Sequence, residues 1–416
     1  LTVHIIGAGL AGLSAAVRLA ERGAEVSLFE ASAQAGGRCR SYVDPVLDMR
    51  LDNGNHLVLS GNRDTFAYLE TLGAADRLVG PSEAVLDFHD LAAGERWRIR
   101  ANPGPLPWWL LSPRRRVPGT HAADYLALGR LLTARSDARI DQVISCRGAL
   151  WDRLMEPFLL AALNTPAAEG SAKLAGAVIA ESLARGGRAY QPRVAHPTLS
   201  AAFVEPALAY LAARGAQVRY GAPVRSLAFE DSHVSALVLA DGDIPVRPGD
   251  QVVLAAPAWI SATLVPGLSA PDRFNAIVNG HFKITPPPGL APIVGVIGGA
   301  AQWIFAFEDR ISITVSAADD LADQDREALA RRFWADIAAI HGLEGEPPPS
   351  RIVKERRATF DATPEQDAKR PAASTAWRNL FLAGDWTATG LPATIEGAIR
   401  SGATAATLAL TRAAKP

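Results

Sequence analysis

Val3-His4-Ile5-Ile6-Gly7-Ala8-Gly9-Leu10-Ala11-Gly12-Leu13-Ser14-Ala15-Ala16 is the stretch that decides the fold. Its short apolar run reads as a buried strand, its three glycines stand at G-x-G-x-x-G spacing, and the Ala-rich periodic segment behind them reads as a helix. Gly7 allows a tight turn, Gly9 lets backbone approach a pyrophosphate, and Gly12 lets the helix pack close on the strand. The first helical turn, with Leu10 and Ala11, then aims its N–H groups and positive dipole end at the phosphates. The helix stops at Gly23, and Ala24 to Phe29 makes a second strand ending in Glu30, with Ala31 behind it. A carboxylate about 20 residues beyond the glycines accepts hydrogen bonds from an adenosine ribose and disfavours a 2′-phosphate. A lone glycine pattern is weak; strand, glycines, helix, second strand and acid in register specify a dinucleotide site.

The chain around this stretch has 416 residues, enough for a large core and two or three domains. A net charge of −1 leaves no electrostatic footprint for nucleic acid. Two cysteines, Cys39 and Cys146, are too few for a disulfide framework or a Cys-based zinc site, and no metal is expected; this fits a reducing cytoplasm. The nucleotide fold begins at once, which predicts no signal peptide, and no uninterrupted apolar run of about 18 residues predicts a membrane-spanning helix.

Gly36-Gly37-Arg38 suits a loop that passes close to a ligand and offers a guanidinium to a phosphate. Leu51 to Val58 follows, with Gly54 allowing close backbone approach and Asn55 and His56 offering polarity at the mouth of a short strand. From about Ala84 the pattern changes to a hairpin around Gly94, then to Pro105-Leu106-Pro107-Trp108-Trp109-Leu110-Leu111-Ser112-Pro113-Arg114-Arg115-Arg116. Tryptophans and leucines beside three arginines match a monotopic membrane contact, or else a loop folded over a core with solvated arginines. Residues 121–135, 147–163 and 171–185 read as helices. The middle one carries Phe158 and Leu159 on a broad apolar surface that packs in a core or lines a greasy cavity. Asn164, before Thr165-Pro166, either caps backbone or faces that cavity. After His196 the nucleotide pattern resumes, with a helix from Ser200 to Arg214, strands at 217–220 and 224–229 and a buried one near 250–257. A second excursion of strands between 282 and 359 encloses a helix at 323–341. The chain closes on a buried strand ending in Gly384-Asp385-Trp386 and on a helix from Ala393, whose N–H groups can stabilise negative charge on a reduced flavin ring.

Gly7 to Gly12 with Glu30, Gly36-Gly37-Arg38, and Gly384-Asp385 followed by Thr394-Ile395-Glu396-Gly397-Ala398 resemble the three FAD-binding blocks of the amine oxidase and phytoene desaturase superfamily. Leu163-Asn164-Thr165-Pro166, Gln191-Pro192-Arg193, Leu199 to Ala207, Ala358-Thr359-Phe360 and Arg370-Pro371 are similar to the squalene-associated FAD-dependent desaturase group, whose members are hydroxysqualene dehydroxylases of bacterial hopanoid biosynthesis. The resemblance covers nearly the whole chain. It implies an α/β fold, a Rossmann-like FAD-binding domain in three parts (1–80, 196–270, 371–416) interleaved with an α+β substrate domain in two (81–195, 271–370). It also implies that Gly7, Gly9, Leu10, Ala11 and Gly12 meet pyrophosphate, that Glu30 and Ala31 meet ribose, and that Gly36, Gly37 and Arg38 lie near the phosphates. Val224 would contact adenine through its backbone, Gly384 and Asp385 the ribityl region, and Ala393, Thr394 and Ile395 the ring, with Gly54, Asn55 and His56 beside it. His56 is the candidate general acid, or the anchor of an ordered water in that role. Trp108, Trp109, Phe158, Leu159, Asn164 and Trp386 are the candidate substrate contacts. The implied partners are a triterpenoid, a membrane surface met through residues 105–116 on the cytoplasmic side, and an electron donor the sequence does not identify. A carotenoid-type desaturase, an amine oxidase with an aromatic cage, and a non-catalytic prenyl-lipid chaperone are the rival readings.

Overall fold

The computed structural model describes residues 1–413. The opening run forms a strand, Thr2–Ile6, followed by a helix, Leu10–Glu21, with all but two of its residues buried. Thr2–Ile6 is the centre of a wholly parallel five-stranded sheet. Glu25–Phe29 and then Gln217–Arg219 lie on one side of it, and Gln251–Leu254 and then Leu380–Leu382 on the other. Near-continuous apolar runs are what parallel strands covered on both faces require. The strand order reverses between Thr2–Ile6 and Gln251–Leu254. Ligands of open α/β sheets bind at such a switch point, beyond the carboxyl ends of the strands.

The first helix packs against the last, Ile395–Ala413, at almost backbone contact. A Cβ on Gly402 would stand 2.2 Å from the Ala11 carbonyl oxygen, so only glycine lets the two helices close. The first and last motifs of the chain are thereby fixed to one another. Glu396, buried at the start of the final helix, accepts from the Asp64 and Thr65 amides (3.0 and 2.9 Å) and from the Thr65 hydroxyl (2.7 Å). It caps the helix Arg63–Thr71 from another part of the chain.

A second sheet has seven strands in the spatial order Ser350–Phe360, Phe274–Lys283, Arg310–Val315, Trp303–Ala306, Ile293–Ile297, Val85–Asp90, Glu95–Arg100. All neighbours are antiparallel except Val85–Asp90 beside Ile293–Ile297. The early hairpin and the late strands are one sheet. Phe274–Lys283 starts eight residues before the expected strand at 282, because it runs the full width of its long partner Ser350–Phe360.

Three expected helices take other forms. Ala122–Thr133 is wound as 3-10 turns, with Tyr125, Leu128 and Leu131 buried at a spacing of three. That spacing eclipses side chains on one face, so Leu126 and Leu132 stand together on the outside, 78% and 47% exposed. Trp151–Met155 and Ser200–Val204 are π turns that run into α-helices at Glu156-Pro157 and Glu205-Pro206. A proline ring collides with the carbonyl four residues back and has no N–H, and a wider turn relieves both. The strand expected at 224–229 is Ser226–Glu230, which leaves Val224 in the approach to it.

Candidate functional site

Gly7, at the carboxyl end of Thr2–Ile6, has φ +103°, and a Cβ there would meet the Ala255 carbonyl oxygen at 2.7 Å. Gly12 is more constrained: its Cβ would lie 1.9 Å from the Gly7 carbonyl oxygen. Gly9 stands at the N-cap of the first helix with no side chain in front of the helix N–H groups. Beside it, Gly36 and Gly37 both have positive φ, and a Cβ on Gly37 would be 3.3 Å from the Gly9 Cα. Two motifs are thus laid edge to edge as a cradle of bare backbone, as a pyrophosphate needs. Leu10 and Ala11 are buried in the helix's first turn.

Glu30 leaves the second strand with Oε2 accepting from the Ala8 amide (2.8 Å) and Oε1 from the Ser32 amide (2.9 Å) and hydroxyl (2.8 Å). These bonds fix the carboxylate at the mouth of the glycine turn and leave each oxygen capacity for a ribose hydroxyl. Ala31, next to it, is exposed. Ala222 donates its amide to the Glu30 carbonyl (2.9 Å), which brings Val224 to the same edge. Val224 makes no backbone hydrogen bond among the described residues, so its amide and carbonyl are free for an adenine edge. The cradle, the acid and the free backbone fit FAD.

Arg38 joins the second motif to the third. Its Nη2 donates to both Asp385 oxygens (2.8 and 2.7 Å), and its Nη1 to the Ala358 carbonyl. Burial alone would lower the Arg38 pKa; Asp385 more than offsets this and holds it above its ordinary value. Gly384 donates its amide to Ser401 Oγ of the final helix (2.8 Å), and Thr394 Oγ1 accepts the Gly397 amide (3.0 Å) at that helix's start. Ala393 is half-buried and Ile395 buried beside it. Sequence reasoning passed over the group that holds this loop. Arg370, 7% exposed, donates from Nη2 to the Asp385 carbonyl (3.1 Å) and Thr389 Oγ1 (2.8 Å), and from Nε to the Thr387 carbonyl (2.9 Å). Only the pair Arg370-Pro371 hinted at it.

Gly54 is pressed against Asn279, whose amide nitrogen would lie 3.0 Å from a Cβ. Asn55 uses both amide hydrogens, on the Ile313 carbonyl and Thr314 Oγ1 (3.1 Å each). His56 is enclosed by protein but keeps part of its ring open to a small cavity. Burial, with the Arg38 charge added, pushes its pKa down to about 4 against the weaker pull of Asp385. A neutral imidazole at pH 7 orients water and donates one N–H; it does not store a spare proton.

Three candidate substrate contacts are corrected. Asn164, in the left-handed region at φ +49°, donates to the Asn275 carbonyl (3.1 Å) and Thr359 Oγ1 (2.9 Å) and accepts from the Ala317 amide. Both donors and the carbonyl are engaged, so it ties the helix Glu156–Leu163 to the second sheet instead of facing substrate. Trp386 is buried, donates to the Ala256 carbonyl (3.0 Å) and covers Gly384, which makes it a packing residue of the loop. Trp109 is 8% exposed and edge-on to Tyr125 (5.7 Å), while Trp108 is 64% exposed. One tryptophan of the pair anchors the loop and the other is free. Leu159 is fully buried in the core and Phe158 half-buried against it.

Both cysteines are free, and burial pushes the Cys39 thiol up to about 12 and Cys146 to about 11. Among the described residues no His/Cys/Asp/Glu cluster could hold a metal, and no helix is long and apolar enough to cross a membrane.

Residues 10–410 match the family described as flavin containing amine oxidoreductase. The chain belongs to that family. Within it, the chain is 52% identical over 410 residues to a hydroxysqualene dehydroxylase of Rhodopseudomonas palustris and 50% identical over 407 residues to one of Zymomonas mobilis, each match covering 98% of both chains. Among solved structures of the flavin containing amine oxidoreductase fold, the cyclohexylamine oxidase of Brevibacterium oxydans superposes with a TM-score of 0.72, covering 99% of both chains at 17% identity. FAD is the cofactor, and the enzyme is a flavin oxidoreductase.

Proposed function

We propose that the chain is a FAD-dependent hydroxysqualene dehydroxylase, reducing hydroxysqualene to squalene. The observation that carries this reading is about half identity over 98% of the chain to proteins of that name. An allylic alcohol releases hydroxide poorly; protonating its oxygen lets water leave and an allylic cation remain. Reduced FAD, when bound, supplies the hydride that quenches this cation. The chain's residues hold the cofactor through the cradle of Gly7, Gly9, Gly12, Gly36 and Gly37, with Glu30 at the ribose, Val224 at the adenine, Arg38 and Asp385 by the phosphate and ribityl region, and Thr394 and Ile395 under the ring. His56 donates its N–H towards the leaving oxygen. Apolar walls exclude water that would intercept the cation. Residues 1–80, 196–270 and 371–416 would form the cofactor domain, and 81–195 with 271–370 the substrate domain.

The chain would work at the inner face of the bacterial membrane. Leu106, Trp108 and Leu111 are each at least 60% exposed, Leu126 and Leu132 stand out on the neighbouring 3-10 segment, and Arg114 and Arg130 are exposed among them. An apolar and basic surface of this kind suits anionic lipid, where a triterpenoid resides. Offering the FAD-loaded protein hydroxysqualene, phytoene and a primary amine, each with the flavin reduced and oxidised, tests the reading by product analysis. Squalene from the reduced enzyme alone supports it; desaturation of phytoene by the oxidised enzyme would transfer the function to a carotenoid-type reaction.

A further inference from the structure

The leaving hydroxyl needs a proton, and a neutral His56 can pass one on only if another group replaces it. We propose that Asp52 stores this proton and hands it to His56 through one water held in the cavity between them. The inference rests on the dehydroxylation reading above.

The cavity is about 10 Å³, room for about one water. Asp52, Asn55 and His56 are its polar lining, and Val194, Ala195, Leu199, Phe305 and Phe307 line the rest. Asp52 is 3% exposed and its two oxygens are used unequally. Oδ1 accepts from Ser41 Oγ (2.6 Å) and the Leu199 amide (2.9 Å). Oδ2 faces Arg310 Nη2 at 3.7 Å, too far for a direct hydrogen bond. Arg310 is itself 3% exposed, lies over the Phe307 ring at 4.0 Å, and gives Nη1 to Asp309 (2.9 Å). Its Nε and Nη2 have no partner, and neither has Asn55 Oδ1. The Asn55 amide cannot turn to cure this, because its nitrogen is fixed on two oxygens. An unpartnered Asn55 Oδ1 on a residue that lines the cavity, with the unpartnered Arg310 Nη2 beyond Asp52 Oδ2, is where an internal water is expected.

No other neighbour suits the role. Arg38 and Arg310 do not release protons. Asp385 is committed to Arg38 through both oxygens. His281 Nδ1 shares a hydrogen bond with Ser312 Oγ (2.9 Å), and burial beside Arg310 pushes it down to about 3. Burial raises the Asp52 carboxyl, opposed by its bonds to Ser41 and Leu199 and by Arg310 and Arg50. In the step, the C–O bond breaks with its electron pair on oxygen, and that oxygen takes the His56 N–H proton and leaves as water. The second ring nitrogen takes a proton from the cavity water, which takes one from Asp52. Solvent later reprotonates Asp52, and the hydride comes from reduced FAD.

Asp52 acts through His56 and is therefore a positioning and relay residue. The test uses FAD-loaded protein with ring ¹⁵N-labelled histidine, His56 being assigned with His56→Gln. Asp52→Asn is expected to shift the His56 ring nitrogens, lower kcat about 100-fold or more with KM little changed, and flatten the alkaline limb of the kcat–pH profile. Ala195→Val, which fills the cavity and leaves the carboxyl in place, is expected to act on the same three readouts, and serves if Asp52→Asn does not fold. His56 nitrogens unmoved in both variants, or wild-type kcat in either, overturns the relay. A wild type that makes no squalene overturns the dehydroxylation reading instead, and the ring nitrogens still decide whether Asp52 and His56 communicate.

Discussion

At the residue scale, the glycines carry the most specific commitments. Gly12→Ala places a methyl 1.9 Å from the Gly7 carbonyl oxygen, and the helix must move off the strand that presents the phosphate cradle. The expected outcome is a fall in bound flavin per mole of protein and a stability loss of about 1–3 kcal/mol, read from absorbance and thermal melting; a fully yellow, equally stable variant would contradict it. The buried histidines set the pH dependence. His56 and His281 sit at about 4 and 3 in the fold, against 6.5 in an unfolded chain. As pH falls below about 6.5 the unfolded state binds protons that the folded state refuses, so stability drops towards pH 4, by up to about 1.4 kcal/mol per pH unit for each. Asp52 and Glu396, with raised carboxyl pKa values, act in the opposite sense over their own acidic window. Melting curves of His56→Gln between pH 7 and 5 are expected to slope less than wild type. Gly7 to Gly12 and Glu30 are legible in sequence because their work is local backbone geometry within about 25 residues. The contacts of Asp52 with Arg310 and of Gly54 with Asn279 are not, since each spans more than 200 positions.

At the element scale, hydrophobic periodicity locates the segments and misjudges their winding. Residues 151–163 and 200–212 are helical as expected, but each carries a π turn ahead of a Glu-Pro pair. The prolines at 157 and 206 are the signal that a period of 3.6 ignores. The 3-10 winding of Ala122–Thr133 matters more, because it turns Leu126 and Leu132 outward on a segment tied by Tyr125 to Trp109, next in sequence to the exposed Trp108. Trp108, Leu111, Leu126 and Leu132 changed together to Ser are expected to cut co-sedimentation with anionic liposomes about tenfold or more while leaving the fold and the flavin in place. Unchanged sedimentation would dismiss this face as a lipid contact. The joint between helices is a separate commitment. Glu396→Ala removes the acceptor of three hydrogen bonds at the start of Arg63–Thr71 and a partner of Arg400 (3.2 Å), and is expected to cost about 2–4 kcal/mol in denaturant unfolding.

At the scale of the whole molecule, two sheets divide the labour. The parallel sheet collects all three cofactor motifs at one edge although they stand at residues 7–12, 36–38 and 384–398. The seven-stranded sheet unites the hairpin at 85–100 with strands after 274, a pairing no local pattern announces because Asp87 and its partner Val294 are 207 residues apart. His56 feels the charges of Arg38 and Asp385 and lines one cavity with Asp52. On the proposed reading, that placement would bring proton delivery to the leaving oxygen and hydride delivery to the allylic cation into one site. The direct measurement is an anaerobic single turnover: protein with reduced FAD is mixed with hydroxysqualene while flavin absorbance and squalene are followed together. One squalene is expected for each flavin oxidised, in step. Flavin that stays reduced while no squalene forms would contradict the dehydroxylation reading.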